Sequence, residues 1–156
     1  MLKDDPKATS FFEQSLAIAR EVKNRPIEGL SLRNLGVIYS DRNQPKKAIE
    51  FYEQSLKIFQ ETSNLGEESL VSSSLGVIYF NLKNYPKSLE FHQKNLAVNL
   101  QLKNQANIAN SFRNIGLAYE AQKDFPQAVV AFEKSLVIRK ERKEKEYITE
   151  DRKSVV

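Results

Sequence analysis

Residues 32–52 read LRNLGVIYSDRNQPKKAIEFY, and closely similar segments follow at residues 72–92 (SSSLGVIYFNLKNYPKSLEFH) and residues 112–132 (FRNIGLAYEAQKDFPQAVVAF). The three copies are 40 residues apart, without an insertion. Leu16 and Ala8 extend the pattern one period earlier, where they match Leu56 and Ala48. Repetition at a fixed period of this length is the signature of an array of similar supersecondary units, so we expect a repeat protein.

Each period is expected to form two helices. In the first half, Leu32, Leu35 and Tyr39 recur at steps of three and four residues, which is the spacing of one helical face. The second half repeats this spacing with Tyr52 and Leu56. The scarcity of turn residues, with 5 Gly and 5 Pro in 156 residues, favours long helices over many short strands.

Breakers separate the predicted helices. Proline is tolerated in the first turn of a helix, so prolines mark the start of each second helix: Pro45, Pro86 and Pro126. Between periods, asparagines are expected in the left-handed or turn conformations that end a helix: Asn24, Asn64 and Asn104.

Three glycines lie inside the predicted first helices: Gly36, Gly76 and Gly116. A glycine within a helix costs about 1 kcal/mol relative to alanine, so its recurrence at one phase needs a packing reason. We expect the missing side chain to let a neighbouring helix backbone approach, with the tyrosine three residues later lying across the gap. A phosphate-binding role is not supported, because the glycines lack a G-x-G or G-K-[ST] context.

The pattern Leu32-x-x-Leu35-Gly36-x-x-Tyr39 with Ala48-x-x-x-Tyr52 resembles the tetratricopeptide repeat. The third copy is similar, whereas the second has Ser72 at the first apolar position and Ser88-x-x-x-His92 for the last pair. The positions that define the fold are then Gly36, Tyr39, Ala48, Gly76, Tyr79, Gly116, Tyr119 and Ala128. The resemblance implies an all-α fold, a right-handed superhelical α-solenoid of antiparallel helix pairs.

The 40-residue period is longer than the common 34-residue form. It resembles the branch found in kinesin light chains, Leu-Gly-Asn-repeat adaptors and bacterial signalling proteins. We expect residues 1–24 to hold the second helix of an incomplete repeat, followed by repeats at 25–64, 65–104 and 105–144. Residues 145–156 are expected to form a capping helix or a tail after a long final helix.

What the resemblance implies about function is protein binding in a concave groove lined by the first helices. In the family an asparagine just before the second apolar position binds the ligand backbone, and Asn34 and Asn114 match that place, with Ser74 between them. The predicted groove residues are Arg33, Asn34, Val37, Ser74, Val77, Phe80, Asn110, Arg113, Asn114 and Leu117. Hydrogen bonding between repeats is the alternative role for the asparagines.

The predicted partner is a protein or peptide, with an acidic or carboxylate-bearing ligand suggested by Arg33 and Arg113. Phe11, Phe12, Leu16, Ile18 and Val22 give the first helix a wide apolar face, so a homo-oligomer through that helix is a further expectation. Two alternatives stay open: a peptide-sensing segment of a larger signalling protein, and a self-associating spacer.

Several function classes are disfavoured. The net charge of +4 comes from mixed-sign segments, which argues against nucleic-acid binding. No stretch is long and apolar enough for a membrane helix, and there is no cysteine, so a cytoplasmic protein without a thiolate metal site or cofactor is expected. The single histidine, His92, occupies an aromatic packing position rather than a catalytic cluster, so no enzyme activity is predicted.

Overall fold

The structure is a computed structural model that describes the backbone of residues 6–153 and the side chains of residues 6–143. Within residues 6–153 the chain forms seven α-helices and no strand. The helices are α1 (Pro6–Glu21), α2 (Arg25–Asp41), α3 (Pro45–Glu61), α4 (Leu65–Asn81), α5 (Tyr85–Gln101), α6 (Gln105–Ala121) and α7 (Phe125–Lys153). Each packs against its neighbours in sequence, which confirms the predicted all-α solenoid of helix pairs.

The same turn reverses the chain every 20 residues. The middle one of its three residues is not glycine, yet has φ between 53° and 63°, in the left-handed region: Lys23, Asn43, Ser63, Lys83, Lys103 and Lys123. Four of these six residues are lysines, and a cation at a helix C-terminus is favoured by the helix dipole. The turn repeats within each pair of helices as well as between pairs. For this reason the six helices α1 to α6 have nearly equal lengths.

The asparagines predicted to end helices instead begin them. The left-handed residue is the one before each asparagine, and the asparagine itself is the N-cap of the following helix. Its side-chain oxygen accepts a hydrogen bond from the backbone N–H three residues later, at 3.2 Å for Asn24 and 3.1 Å for Asn104. Asparagine is among the best N-cap residues, so the prediction placed the right residue at the wrong end of the turn.

An aromatic ring of each second helix lies against the glycine of its own first helix. A Cβ placed on Gly36 would be 2.8 Å from the Tyr52 ring, and one on Gly116 would be 2.6 Å from the Phe132 ring. The glycines therefore admit a ring rather than a helix backbone, which corrects the sequence-based expectation. The tyrosines three residues later pack elsewhere: Tyr39 stacks on Phe51 with ring centroids 5.2 Å apart.

A hydrogen bond accompanies the ring contact in every pair. Ser55 Oγ donates to the carbonyl oxygen of Gly29 at 2.8 Å, and Ser135 Oγ donates to that of Ala109 at 2.8 Å. In the middle pair Asn95 Nδ2 makes the equivalent bond to Ser69 at 2.7 Å. Because these groups are buried, each bond satisfies polar atoms that would otherwise be costly inside the core.

The middle pair, α4 and α5, has the most polar core. Asn95 and Asn99 are both buried and exchange hydrogen bonds with Ser69 and Ser111, which links α4, α5 and α6. His92 takes the place of Tyr52 and Phe132 against Gly76 and is only 2% exposed. This agrees with the prediction of a packing role for His92, and burial lowers the pKa of its imidazole to about 4.

An ion-pair network joins the first three helices. Arg20 Nε on α1 donates to Glu28 Oε1 at 3.0 Å, and Arg25 NH1 donates to Glu28 Oε2 at 2.7 Å. Arg25 also pairs with Glu61 on α3. Burial alone would raise the pKa of Glu28, but the bonds from the two arginines outweigh it and lower the pKa. The carboxylate therefore stays ionised although it is buried.

The two ends of the described chain differ. On α1, Phe11 and Ile18 are 66% and 59% exposed, whereas their counterparts on α3, Phe51 and Ile58, are covered by α2. At the other end α7 continues without a break through Lys153. The segment predicted as a cap or tail thus extends α7 up to that residue, and residues 154–156 lie outside the described residues.

Alanine in place of Gly36 is expected to lower the free energy of unfolding by about 1–3 kcal/mol, because its Cβ would collide with the buried Tyr52 ring. Gly66 is the matched control, since a Cβ there meets only Asn64 Oδ1 at 3.8 Å. Gly66→Ala should raise stability by about 0.4–1 kcal/mol. Urea denaturation followed by circular dichroism measures both, and equal shifts for the two variants would contradict the ring-on-glycine contact.

Acidification is expected to destabilise the wild type more than a His92→Phe variant. Unfolding returns the pKa of His92 from about 4 to its ordinary 6.5. The unfolded chain therefore binds a proton that the folded chain does not, and stability falls as the pH drops below 6.5, by roughly 1.4 kcal/mol per unit. Carboxylates titrate in both proteins, so the quantity to compare is the loss of unfolding free energy between pH 7 and pH 5 in each protein. An equal loss in the wild type and in the His92→Phe variant would contradict the burial of a neutral His92.

Candidate binding surface

The first helices α2, α4 and α6 leave matching faces uncovered. In α2, Leu32, Leu35 and Gly36 are buried, while Leu30 and Val37 are 36% and 38% exposed. The same positions of α4 hold Leu70 and Val77, which are 52% and 45% exposed. Two positions seven residues apart lie on one side of a helix, about 10.5 Å apart along its axis. Each first helix thus presents two separated positions of the same face.

We call this face the first-helix surface and describe it as three rows that cross α2, α4 and α6. The upper row is Leu30, Leu70 and Asn110; the central row is Asn34, Ser74 and Asn114; the lower row is Val37, Val77 and Leu117. The upper row is aliphatic at two of its three positions and the lower row at all three. Seven of the ten groove residues predicted from the sequence belong to these rows.

The central row is polar and only partly occupied by internal hydrogen bonds. Asn34 Oδ1 accepts from Arg33 NH2 at 3.1 Å, and Ser74 Oγ donates back to the carbonyl oxygen of Leu70 at 3.0 Å. Asn114 is half-buried and makes no side-chain hydrogen bond within residues 6–143. The structure does not show the hydrogen bonds between repeats that were the alternative role of Asn34 and Asn114. An amide can donate and accept at once, so Asn114 is equipped to bind a backbone.

Positive charge is unevenly distributed over the surface. Arg33 NH1 lies 3.0 Å from Glu67 Oε2, so its charge is balanced by an acidic residue of the adjacent first helix. Arg113 is exposed and forms no ion pair among the described residues. Beside it, Arg139 NH2 donates to Asn110 Oδ1 at 2.8 Å. The sequence suggested cationic groups at Arg33 and Arg113, and the structure leaves a net positive group only at the α6 end.

Tyr52 lies beneath the surface between α2 and α4. Its ring packs on Gly36, and the residue is only 3% exposed. Burial raises the pKa of Tyr52, as does Asp41, whereas the Ser74 hydrogen bond and Arg33 lower it in part. The phenol is therefore neutral and can serve as a hydrogen-bonding group of the surface floor.

Phe80 lies beside the rows rather than within them. It is half-buried, and its ring centroid is 5.5 Å from that of Tyr85 at the start of α5. Its ring therefore packs partly against its own chain. Leu30 and Leu70 are not among the predicted groove residues, although their 40-residue spacing and their position seven residues before Val37 and Val77 could have identified them.

A separate hollow of about 400 Å³ lies between α6 and α7. Its lining is Phe112, Val130, Glu133, Lys134, Val137 and Ile138. The apolar lining is specific to the third pair in comparison with the first. At the positions of Val130 and Val137, the first pair has the charged residues Glu50 and Lys57. This hollow was not predicted from the sequence, because it forms only when α6 and α7 pack together.

The part of the chain that the structure describes offers neither a metal-binding cluster nor a membrane-spanning helix. No group of three or more His, Cys, Asp or Glu side chains there could hold a metal ion. None of the described helices combines the length and apolar character that a membrane span requires.

Solved structures with the same fold include BtubC (BKLC) from P. vanneervenii, with a TM-score of 0.80 and 24% identity over 88% of this chain. This chain spans 57% of the length of that protein. The N-terminal domain of stress-induced protein-1 from C. elegans is similar over 70% of this chain and 83% of its own, with a TM-score of 0.63 and 22% identity. The TPR domain of Arabidopsis FLU is similar over 72% and 95%, with a TM-score of 0.67 and 18% identity. At these identities the likeness shows the fold alone.

No curated protein matches the sequence. The family model described as "Tetratricopeptide repeat" matches residues 1–61 and 67–141. These ranges include the three ring-on-glycine pairs and the whole first-helix surface. The chain therefore belongs to the tetratricopeptide repeat family.

Proposed function

We propose that this chain is a protein-interaction module that binds a peptide segment of another protein across its first-helix surface. The observation that carries the proposal is the central polar row, Asn34, Ser74 and Asn114, which crosses three successive first helices and is flanked by exposed aliphatic side chains on α2 and α4. Exposed aliphatic residues aligned at a 40-residue spacing form a contiguous patch, and such patches mark interaction surfaces. Tetratricopeptide repeats are in general protein-interaction modules, which supports the same role.

A binding role accounts for the polar groups better than catalysis does. His92, the one histidine of the chain, is buried and neutral against Gly76, where it cannot reach a substrate on the surface. Arg113, by contrast, is exposed at the α6 end and can pair with a carboxylate in a bidentate manner. We therefore propose a ligand that carries an acidic group and is bound without chemical change.

The proposal is tested by selecting binders from a phage-displayed library of random twelve-residue peptides and synthesising those enriched. Fluorescence anisotropy then measures their affinity for the wild type and for an Asn34→Ala, Asn114→Ala double variant. Because each lost amide removes hydrogen bonds to the ligand backbone, we expect affinity to fall about tenfold or more.

The matched control is a Gln93→Ala, Gln101→Ala variant, which removes two exposed amides from α5, outside the surface. It should bind the selected peptides as the wild type does. Failure to select any peptide, or equal binding by both double variants and the wild type, would overturn the proposal.

Self-association is a second candidate function, favoured by the exposed apolar face of α1. Phe11, Ile18 and Val22 are 66%, 59% and 64% exposed, and Phe11 and Phe12 make an edge-to-face pair at 5.3 Å. The occupant that we propose for this face is the α1 face of a second copy, related by a twofold axis, since most homodimers are of this kind.

Sedimentation equilibrium distinguishes the monomer from such a dimer. If α1 forms the interface, the wild type should sediment as a dimer at micromolar concentration, and a Phe11→Ser, Ile18→Ser variant should be monomeric. A Val129→Ser, Leu136→Ser variant alters two exposed apolar residues of α7 and should remain dimeric. A monomeric wild type would exclude this candidate without affecting the peptide-binding proposal.

A further inference from the structure

We infer that the hollow between α6 and α7 is a second docking site, which takes an amphipathic helix of a partner protein whose apolar stripe is flanked by an acidic residue. The site is separate from the first-helix surface. Phe112, which lines the hollow, precedes Asn114 by two residues and so points about 200° away from it around α6. A helix in the hollow and a peptide on the first-helix surface can therefore bind independently of each other.

The apolar lining of the hollow is uncovered. Val130 and Val137 are 44% and 53% exposed, and Phe112 and Ile138 are half-buried. These four side chains belong to the lining of a hollow of about 400 Å³. Exposed apolar residues that adjoin one another in this way mark an interaction surface.

The first pair, α2 and α3, is closed at the same place. Leu32 and Ile58 are the counterparts of Phe112 and Ile138, and they are only 1% and 3% exposed. Both belong to one buried cluster with Leu16 of α1. The repeated backbone therefore does not require an opening here, and the side chains of the third pair create it.

A polar contact that spans the first pair is also missing from the third. Arg20 NH2 on α1 donates to Gln54 Oε1 on α3 at 3.2 Å. The counterparts of these two residues are Leu100, which is 54% exposed, and Lys134, and a leucine cannot form such a bond. Apolar residues thus replace charged ones at three positions around the hollow, since the two valines also stand where the first pair has charged side chains.

The charges beside the hollow complement a helix with an acidic edge. Lys134 Nζ lies 5.4 Å from the centre of the Phe112 ring and forms no ion pair within residues 6–143. Lys134 follows Glu133, so the two lie about 100° apart around α7, with Val130 and Val137 between them. A helix laid on the valines therefore has an unpaired cation on one side and a carboxylate on the other. Flanking charges of this kind set partner choice and orientation in paired helices.

A helix fits the hollow better than an extended segment does. Val130 and Val137 are two turns apart on α7, about 10.5 Å along its axis, and a partner helix repeats its apolar side chains at the same interval. A helix also satisfies its own backbone hydrogen bonds. The aliphatic and aromatic side chains of the lining offer none to an extended backbone, which would lose its bonds to water without replacement.

A small molecule is also a poorer occupant than a helix. Sites for small ligands usually bury about 70–90% of the ligand surface. The two valines that border this hollow are about half exposed, so a small ligand would keep its outer side in water. A helix of a partner protein covers the valines and the hollow together.

The first test selects helical peptides. A phage-displayed library of eighteen-residue helices with randomised faces is selected on the wild type, and the enriched peptides are measured by fluorescence anisotropy. We expect apolar residues at intervals of three, four and seven, with Asp or Glu beside them. A Val130→Glu, Val137→Lys variant installs the residues of the first pair and should bind these peptides about tenfold or more weakly. Failure to enrich such peptides, or equal binding by this variant, would overturn the inference.

Two control variants locate the binding. Glu50→Val, Lys57→Val places the same valines on the first pair, where Leu32 stays covered, and should leave the affinity and the stoichiometry of one peptide per chain unchanged. The Asn34→Ala, Asn114→Ala variant should bind the helical peptides as the wild type does. Loss of binding in that variant would place the peptides on the first-helix surface and overturn this inference, while leaving the proposed function intact. Circular dichroism checks that all variants fold.

The acidic edge of the partner helix is tested with Lys134→Gln. This variant should bind the selected acidic peptides more weakly than the wild type and should bind their Asn- or Gln-substituted versions equally well. A Lys134→Gln variant that still prefers the acidic peptides as strongly as the wild type would overturn the role of Lys134.

A second copy of the chain is the competing occupant. Sedimentation equilibrium of the Val130→Glu, Val137→Lys variant distinguishes it from a partner protein. We expect the variant to sediment as the wild type does. If the wild type self-associates and the variant is monomeric, the occupant is a second copy and the inference of a partner protein is overturned.

Discussion

The contact of an aromatic ring with a bare glycine backbone is the constraint on which the solenoid depends. Tyr52, His92 and Phe132 differ in chemistry, yet each lies flat where a Cβ of Gly36, Gly76 or Gly116 would otherwise stand. The contact fixes how closely the two helices of a pair approach and how they are rotated about their axes. Once that rotation is set, one face of each first helix is buried. The opposite face, which contributes one residue to each of the three rows, stays at the surface.

The buried hydrogen bonds depend on the same close approach. Ser55, Asn95 and Ser135 reach a carbonyl oxygen of the first helix only because the helices are held together two turns away. The middle pair has the most polar side chains between its two helices, since serine, asparagine and histidine stand there in place of apolar core residues. Ser72 Oγ, Ser88 Oγ and His92 Nδ1 have no hydrogen-bond partner among the described residues. Such groups stabilise a core less than the aliphatic residues they replace, so the middle pair relies on its neighbours.

The distribution of charge makes the two ends of the first-helix surface different, although the repeat pattern is the same along it. Glu67, in the first turn of α4, pairs with Arg33, whereas Arg113 on α6 has no acidic partner among residues 6–143. A repeating scaffold has no intrinsic preference for the direction of a ligand. If the surface binds a ligand as proposed, a preferred direction would come from single residues that break the repetition, such as Glu67.

Sequence alone determined the architecture. The 40-residue spacing of Gly36, Gly76 and Gly116 and the helical periodicity fixed the number, type and order of the helices, because both properties are local and repeat without insertions. The same spacing placed seven of the ten predicted groove residues in the rows of the first-helix surface, and it would also have pointed to Leu30 and Leu70. Tertiary structure alone decided which ring fills each glycine gap and that Arg33 is paired with Glu67. These depend on contacts between helices 16 to 34 residues apart in sequence, whose geometry periodicity does not encode.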